Sequence, residues 1–172
     1  MNGDKKIDQN DVTTIGNPEM PEIIYGFGGT VTYKKWDMSL MFQGAGKVSL
    51  IMRDIHPFVD KDGDGQGISQ FVVDNHWSEA NNNANAAYPR LSQAFVTNNV
   101  QPSTFYLRDA SFLRLKTAEV GFTPYKWMRV YVAGTNLLTF SPFKTWDPEM
   151  GSGNGLSYPL QRTFKIGVQF QY

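Results

Sequence analysis

The last eleven residues of the sequence, Arg162–Tyr172, constrain the fold more than any other stretch. Apolar and polar residues alternate along them, and successive side chains of a β-strand point to opposite faces. The apolar positions are Phe164, Ile166, Val168, Phe170 and Tyr172. A strand of this length, at about 3.3 Å per residue and tilted by about 45°, covers the roughly 25 Å apolar band of an outer-membrane barrel. The segment therefore predicts a strand with one apolar face, which suits either a soluble sandwich or a membrane barrel.

The composition favours a β-rich domain. The chain has 12 Phe, 8 Tyr and 4 Trp, which favour strands, and 16 Gly and 9 Pro, which favour turns. Sixteen basic residues balance sixteen acidic ones, so the charge gives no indication of nucleic-acid binding, and we exclude nucleic acid as a partner. The absence of cysteine from the sequence excludes disulfides and cysteine-bound metals.

The start of the sequence predicts a fragment of a longer protein. No apolar stretch typical of a signal peptide follows Met1, and no apolar run reaches the roughly 18 residues of a transmembrane helix. A complete product of this kind would be cytoplasmic. However, Asn2, Asp4, Asp8 and Asp11 have spacings that resemble an Asp-rich calcium loop whose first acidic ligand would precede Met1. We therefore expect the chain to begin inside a loop of something longer.

Alternating apolar residues predict five strands. They cover about residues 24–33, 36–52, 105–122, 127–140 and 162–172. In the third strand the apolar positions change parity between Leu115 and Ala118, so we expect a β-bulge near Thr117 that returns them to one face. A short helix is also expected around residues 68–74 or 89–97.

The connections between these strands alternate in length. Long loops are predicted at about residues 1–20, 53–104 and 141–161, with short turns at 34–35 and 123–126. Transmembrane barrels have long extracellular loops and short periplasmic turns. Aromatic residues collect at the short-turn end, as in a membrane-interface girdle: Tyr33, Trp36, Phe122, Trp127 and Tyr172. We therefore predict an all-β fold of antiparallel transmembrane strands.

Several strings of the sequence resemble one protein family in their order and spacing. They are NGDKKIDQNDVTTIGNPEMPEIIYGFGGTVTYKKWDMSLMFQGAG, HWSEANNNANAAYPRLS, STFYLRDASFLRLKTAEVGF, RVYVAGTNLLTF, KTWDPE and YPLQRTFKIGVQFQY. Together they resemble the C-terminal part of SusC/RagA-type TonB-dependent outer-membrane transporters over nearly the whole chain. Residues 123–127 depart from the family, which usually has a longer Leu-Pro turn at this point.

The resemblance implies a roughly 22-stranded transmembrane β-barrel in the bacterial outer membrane, a size at which the lumen holds a plug. These five strands would be the last of the barrel, and the plug and the TonB-contacting segment would precede Met1. The implied partners are a SusD-like surface lipoprotein that acts as a lid, the TonB complex and an oligosaccharide or peptide cargo. The barrel-assembly machinery would read a terminal signal formed by Phe164, Ile166, Val168, Phe170 and Tyr172.

Enzyme motifs are missing from the sequence. His56 and His76 lack zinc spacing, no serine has a G-x-S-x-G context, and the GFGG string at residues 26–29 lies inside a predicted strand with no helix after it. These glycines are better explained as room on a crowded lumen-facing side. We predict no catalysis and no required cofactor.

One loop segment could bind calcium. Asp60, Asp62 and Asp64, followed by Gly65, resemble the first half of an EF-hand loop, because calcium prefers several carboxylate oxygens around a tight turn. The twelfth position is Phe71 instead of Glu, so the alternative is a solvated Asp/Gly loop. An extracellular calcium site is therefore an open expectation.

Aromatic and basic residues in the long loops are candidates for cargo binding. They are Trp77, Tyr88, Arg90 and Trp146. Such side chains stack on sugar rings or pair with carboxylates. The alternative is that they pack the loops together. Asp147 and Glu149 are expected to cap or anchor the loop at residues 141–161.

Two other classes of protein also fit parts of the sequence. One is a soluble secreted β-sandwich that binds glycans through Trp77 or Trp146, and the other is an adhesin-like module with calcium-stiffened loops. A sandwich would bury the apolar side of residues 162–172 against a second sheet, whereas a barrel would expose that side to lipid.

Overall fold

The computed structural model describes residues 11–52, 67–68, 70–153 and 155–171. Their contacts divide them into two compact units, one with residues 11–17 and 67–107 and one with residues 18–52 and 108–171. Four predicted site residues lie outside the described residues: Asp60, Asp62, Asp64 and Tyr172.

The fold consists mostly of antiparallel β-strands with few helices. The strands are β1 (Ile23–Tyr33), β2 (Trp36–Gly46), β3 (Ser49–Ile51), β4 (Leu107–Asp109), β5 (Phe112–Tyr125), β6 (Met128–Phe140) and β7 (Thr163–Phe170). Five of them form one sheet in the order β1-β2-β5-β6-β7, and β3 pairs with β4 in a second, two-stranded sheet. The helices are α1 (Gln70–Asn75), α2 (Thr97–Val100) and a 3₁₀ turn at Pro148–Met150. Within the described ranges, no helix is both long and apolar enough to cross a membrane.

The strand register gathers the apolar residues on one face of the five-stranded sheet. Tyr33 lies opposite Trp36, which lies opposite Phe122. Phe122 lies opposite Val130, and Val130 lies opposite Val168. Because residues opposite each other in a sheet share a face, one apolar surface runs across all five strands.

A β-bulge keeps this surface continuous. On β2, Met41 lies opposite Thr117, but its neighbour Phe42 lies opposite Leu115, so Lys116 is left without a partner. The register between β5 and β6 shifts at the same point. The β-bulge expected near Thr117 is therefore confirmed, and apolar residues on either side of it share one face.

The second and third predicted strands differ most from the observed ones. The segment predicted at residues 36–52 breaks after Gly46, because Lys47 adopts a left-handed conformation (φ 51°) and the chain continues as β3. The segment predicted at residues 105–122 breaks between β4 and β5, and β5 runs on through Pro124 to Tyr125. The register shifts at this proline, which cannot donate a ladder hydrogen bond. The second short turn is therefore at residues 126–127, and Trp127 lies in the turn rather than in the fourth strand.

The buried core of the second unit lies at the long-loop end of the sheet. Its apolar members are Ala45, Val48, Leu50, Met52, Ala110, Phe112 and Phe143. The first unit has its own small core, which includes Val72, Tyr88 and Tyr106. Most of the apolar face of the five-stranded sheet is outside either core, because its side chains are exposed.

Candidate functional site on the polar face of the sheet

The two faces of the five-stranded sheet have opposite chemistry. On the apolar face, Phe164 is 70% exposed and Ile166 is 81% exposed. The other face carries polar and charged side chains at the alternate positions of the same strands. They include Asp37, Gln43, Arg114, Glu119, Arg129, Thr135, Lys165 and Gln169.

Arg129 is the centre of a charged cluster near the short turns. Its Nε donates to Asp37 Oδ2 at 3.0 Å, and its Nη2 donates to Glu119 Oε1 at 2.6 Å and also to Asp37 Oδ1. Its Nη1 donates to Gln169 Oε1 at 3.1 Å. These four side chains belong to β6, β2, β5 and β7, so one guanidinium connects four neighbouring strands. Charge-assisted hydrogen bonds of this kind are stronger than neutral ones.

Glycines on the same face leave room for this cluster. A Cβ atom at Gly121 would lie 2.6 Å from Arg129 Cζ and 2.5 Å from Asp37 Oδ2, which is too close for a real side chain. A Cβ atom at Gly167 would collide with the ring of Tyr131, over which the Arg129 guanidinium lies at 5.2 Å. The glycines therefore shape the cluster by close approach.

Arg114 forms a second cluster, at the long-loop end of β5. Its side chain is 1% exposed, and its Nη2 donates to both carboxylate oxygens of Asp147, at 2.6 and 2.7 Å. The same nitrogen lies 3.1 Å from Glu149 Oε2. A buried guanidinium needs charged partners to offset its loss of hydration, and here the loop at residues 141–161 supplies them.

The middle of this loop has further attachments. Asp147 Oδ1 accepts a hydrogen bond from the Glu149 backbone N–H at 3.0 Å and so caps the 3₁₀ turn. Ser152 Oγ accepts from Ile51 N at 2.9 Å and donates to Glu19 Oε1 at 2.8 Å. The expectation that Asp147 and Glu149 cap or anchor this loop is therefore confirmed.

A cavity of about 220 Å³ lies beside the anchored loop, in the second unit. Its apolar lining includes Ile24, Val48, Leu50 and Phe112, and the carboxylate-bearing residues Glu19 and Glu149 also line it. It therefore combines apolar walls with negative charge.

Three of the predicted cargo-binding residues belong to the first unit. Trp77 and Tyr88 are neighbours, because the Trp77 backbone N–H donates to Tyr88 O at 2.8 Å. The Trp77 indole N–H donates to Asn82 Oδ1 at 3.0 Å. Tyr88 is fully buried, with its ring edge-on to Phe71 at 6.1 Å. Arg90 is exposed.

Trp146, the fourth predicted residue, belongs to the second unit. Its ring packs edge-on against Phe143 at 4.6 Å, and its indole N–H donates to Gly151 O at 3.0 Å. Both contacts lie within its own loop. Cargo binding by these four residues stays a prediction.

The predicted girdle residues that the structure describes lie at the short-turn end. The rings of Trp36 and Phe122 are 4.6 Å apart. Trp127 stacks on Tyr125 at 5.5 Å and on Phe170 at 6.0 Å, in nearly parallel planes. Tyr125 joins this aromatic group because β5 continues through Pro124, where the sequence pattern predicts a turn.

The residues that organise the polar face were missed at the level of sequence. Arg114 and Arg129 give one available signal, which is a charged residue between two apolar neighbours near the start of a strand. Their carboxylate partners could not be deduced, because Asp37 and Arg129 are 92 positions apart. Among the described residues, no group of three or more His, Cys, Asp or Glu side chains could hold a metal ion. The calcium site at residues 60–64 stays a prediction.

These features define a class of protein. An antiparallel sheet with one apolar exposed face, one polar face, short turns at one end and long loops at the other is the architecture of a segment of a membrane β-barrel.

Comparisons with known proteins agree with this architecture. The chain is 31% identical over 99% of its length to TonB-dependent receptor P26 of Formosa agariphila. It is 29% identical over 100% of its length to TonB-dependent receptor P3 of the same organism. It spans only 19% and 18% of these two relatives. No family model matches the chain.

Solved structures show the same fold. The RagAB peptide importer in its "closed-closed" state has a TM-score of 0.70 and 23% identity, over 96% of this chain and 19% of that one. Its "open-open" state has a TM-score of 0.66 and 24% identity, over 97% of this chain and 19% of that one. The predicted resemblance of the chain to a fragment of a TonB-dependent receptor is confirmed over its whole length. Its fold is that of the matching part of the RagAB importer. The relatives are receptors and importers by name, which agrees at this coarse level with the prediction that the chain is not an enzyme.

Proposed function

We propose that the chain forms part of the wall of an outer-membrane transporter that imports oligosaccharides or peptides with energy supplied through TonB. The observation that carries this proposal is the apolar face of the five-stranded sheet. A surface of this size and continuity is unfavourable in water and suits a lipid environment. Its side chains have the exposure expected of residues that face acyl chains.

The polar face then lines the lumen of the barrel. In the complete protein about 22 strands enclose a plug, and the edges of β1 and β7 pair with strands outside this chain. We place these strands last in the barrel, with β7 closing against the first strand. The barrel-assembly machinery recognises the apolar residues of β7, which are Phe164, Ile166, Val168 and Phe170, together with Tyr172 of the sequence.

The long loops face the cell exterior, where a SusD-like lipoprotein covers them as a lid. A peptide cargo is supported by the similarity of the fold to the RagAB peptide importer. Arg90, which is exposed, pairs with cargo carboxylates in this proposal. Trp77 and Trp146 are half-buried and contribute to cargo binding through the exposed parts of their rings, whereas Tyr88 is buried and acts by supporting its loop.

A soluble glycan-binding sandwich is the alternative. It needs a second sheet over the apolar side of β7, as its fold buries both inner faces. In the part of the chain that the structure describes, the other sheet has only the three-residue strands β3 and β4. The exposure of Phe164 and Ile166 therefore favours the barrel.

A substitution in β7 tests the proposal in the full-length receptor. Ile166→Arg places a charge on the apolar face, where lipid contact makes it cost about 2–4 kcal/mol of barrel stability. Thr163→Arg, on the polar face of the same strand, is the matched control. The measurements are urea-induced unfolding in phospholipid vesicles and the amount of folded receptor in the outer membrane.

Two results would contradict the proposal. One is equal stability of the two variants, because the faces would then not differ in their surroundings. The other is a cooperative, detergent-free monomer formed by residues 1–172 alone.

Uptake of labelled oligosaccharides and peptides by cells with and without the receptor distinguishes the two cargo classes.

A further inference from the structure

We propose that the short-turn end of the sheet contains a binding site for the phosphate group of an anionic membrane phospholipid. The inference rests on the proposed membrane location. The site, here called the turn pocket, lies between the two short turns and is lined by Lys34, Lys35, Pro124, Tyr125, Lys126 and Trp127.

The two turns are held side by side by hydrogen bonds. Thr123 N donates to Lys35 O at 2.8 Å, and Lys35 Nζ donates to Pro124 O at 2.9 Å. The second bond uses only one of the three N–H groups of this ammonium. The spacing of the turns is therefore set by the protein itself, before any ligand binds.

The turn pocket is positively charged. Its lining, all of it within the described residues, includes three lysines and no carboxylate. Asp37 lies only two positions from Lys35, but its carboxylate binds Arg129 on the polar face. A cluster of ammonium groups of this kind attracts anionic headgroups at a membrane surface.

The turn pocket also borders the apolar face. Lys34 Nζ lies 5.2 Å from the ring centre of Tyr33, which is 67% exposed on that face. Tyr125 and Trp127 line the pocket and continue as a stack onto Phe170, with 9° and 12° between ring planes.

Lysines at this level extend toward the headgroups while aromatic rings lie at the interface. A phospholipid therefore fits with its phosphate at the lysines and its acyl chains along the rings. Free inorganic phosphate would use the lysines alone and leave the aromatic stack without a role. This second contact is the reason for choosing a membrane lipid over a soluble anion.

The test uses the purified full-length receptor, transferred from detergent into vesicles of phosphatidylcholine with increasing phosphatidylglycerol. Native mass spectrometry and a spin-labelled phosphatidylglycerol report lipid retained by the protein. The double variant Lys34→Gln, Lys126→Gln should lower the affinity for phosphatidylglycerol about fivefold per lysine. This factor corresponds to the attraction of about 1 kcal/mol between one basic residue and an anionic surface. Lys144→Gln, an exposed lysine in the loop at residues 141–161, is the control and should change nothing.

Three outcomes would overturn the site. The first is unchanged phosphatidylglycerol binding by the double variant. The second is an equal loss of phosphatidylglycerol binding in the control variant. The third is displacement of the spin-labelled lipid by inorganic phosphate as effectively as by unlabelled phosphatidylglycerol. The variant Lys34→Arg, Lys126→Arg keeps the charges and should keep the lipid, which separates charge from folding damage. If the receptor inserts and transports normally but fails these tests, only the lipid site is contradicted. If the receptor does not insert into vesicles at all, the proposed function is contradicted.

Discussion

Arg114 and Arg129 have similar partners in different surroundings. Each guanidinium binds two carboxylates through one terminal nitrogen. The Arg114 side chain is 1% exposed and binds a loop, whereas the Arg129 side chain is 19% exposed and binds residues of neighbouring strands. Those strands are already joined by backbone hydrogen bonds. The loop is held by side-chain bonds and also by a backbone hydrogen bond from Gly153 N to Ile51 O.

The difference shows that the contribution of an ion pair to stability depends on which other interactions hold its two partners in place. Around Arg129 the sheet keeps its register without the charges, so the cluster adds stability to an arrangement that already exists. Around Arg114 the ion pairs determine where residues 147–149 lie, and loss of the arginine would leave carboxylates in a partly buried place.

The largest effect is expected from Arg114→Leu. Removing one partner of a buried ion pair costs about 3–5 kcal/mol, and the loop at residues 141–161 should become susceptible to proteases. Urea-induced unfolding and limited proteolysis of the receptor in vesicles measure both effects. Arg162→Leu, an exposed arginine just after the same loop, is the control. Intact protection of the loop would show that Arg114 does not anchor it.

A smaller effect is expected from Arg129→Leu. Because the cluster is partly exposed and screened by water, its loss should cost roughly 1 kcal/mol. The loop at residues 141–161 should keep its protease resistance. A cost equal to that of Arg114→Leu would remove the distinction between the two clusters. At high salt, the destabilisation caused by Arg129→Leu should decrease more than that caused by Arg114→Leu, because salt screens exposed charges more than buried ones. The same unfolding measurement, repeated at high salt, checks this.

The smallest effect is expected from Gly121→Ala. The added methyl group would displace the Arg129 guanidinium from Asp37 and weaken this ion pair. Alanine is more stable than glycine in a strand, which offsets part of the loss, so the free energy of unfolding should fall by up to about 1 kcal/mol. Gly29→Ala is the control, since nothing lies within 4 Å of its Cβ position. That variant should be neutral or slightly stabilising. If the two alanine variants behave alike, close packing at Gly121 is not important.

Local alternation predicted the strands and their faces, because each side chain's face depends only on its position along the strand. It also predicted the bulge, since the parity change around Lys116 can be seen in the sequence. The helix α1 falls in one of the two expected regions, at Gln70–Asn75. These successes share one property, which is that the signal lies within a few residues.

The arginine clusters could not be predicted in the same way. Alternation gives the face of Arg129 but not its partners on β2, β5 and β7, which depend on the strand order and on three separate registers. The break of the second strand at Lys47 was missed because burial of Val48 and Leu50 depends on distant residues. The position of Pro124 inside β5 could not be predicted either, because it depends on the neighbouring turn, where Lys35 Nζ donates to the Pro124 carbonyl oxygen.

The two short turns also have a consequence for the order of folding. Only two residues separate β1 from β2, and only two separate β5 from β6, so each hairpin forms from contacts close in sequence. Pairing of β2 with β5 must instead close the chain segment at residues 47–111, at an entropic cost that grows with its length. We therefore expect the hairpins to appear first and to associate later as preformed units. Pulsed hydrogen exchange during refolding into vesicles should protect β1 before the β2–β5 pairing, and simultaneous protection would contradict this order.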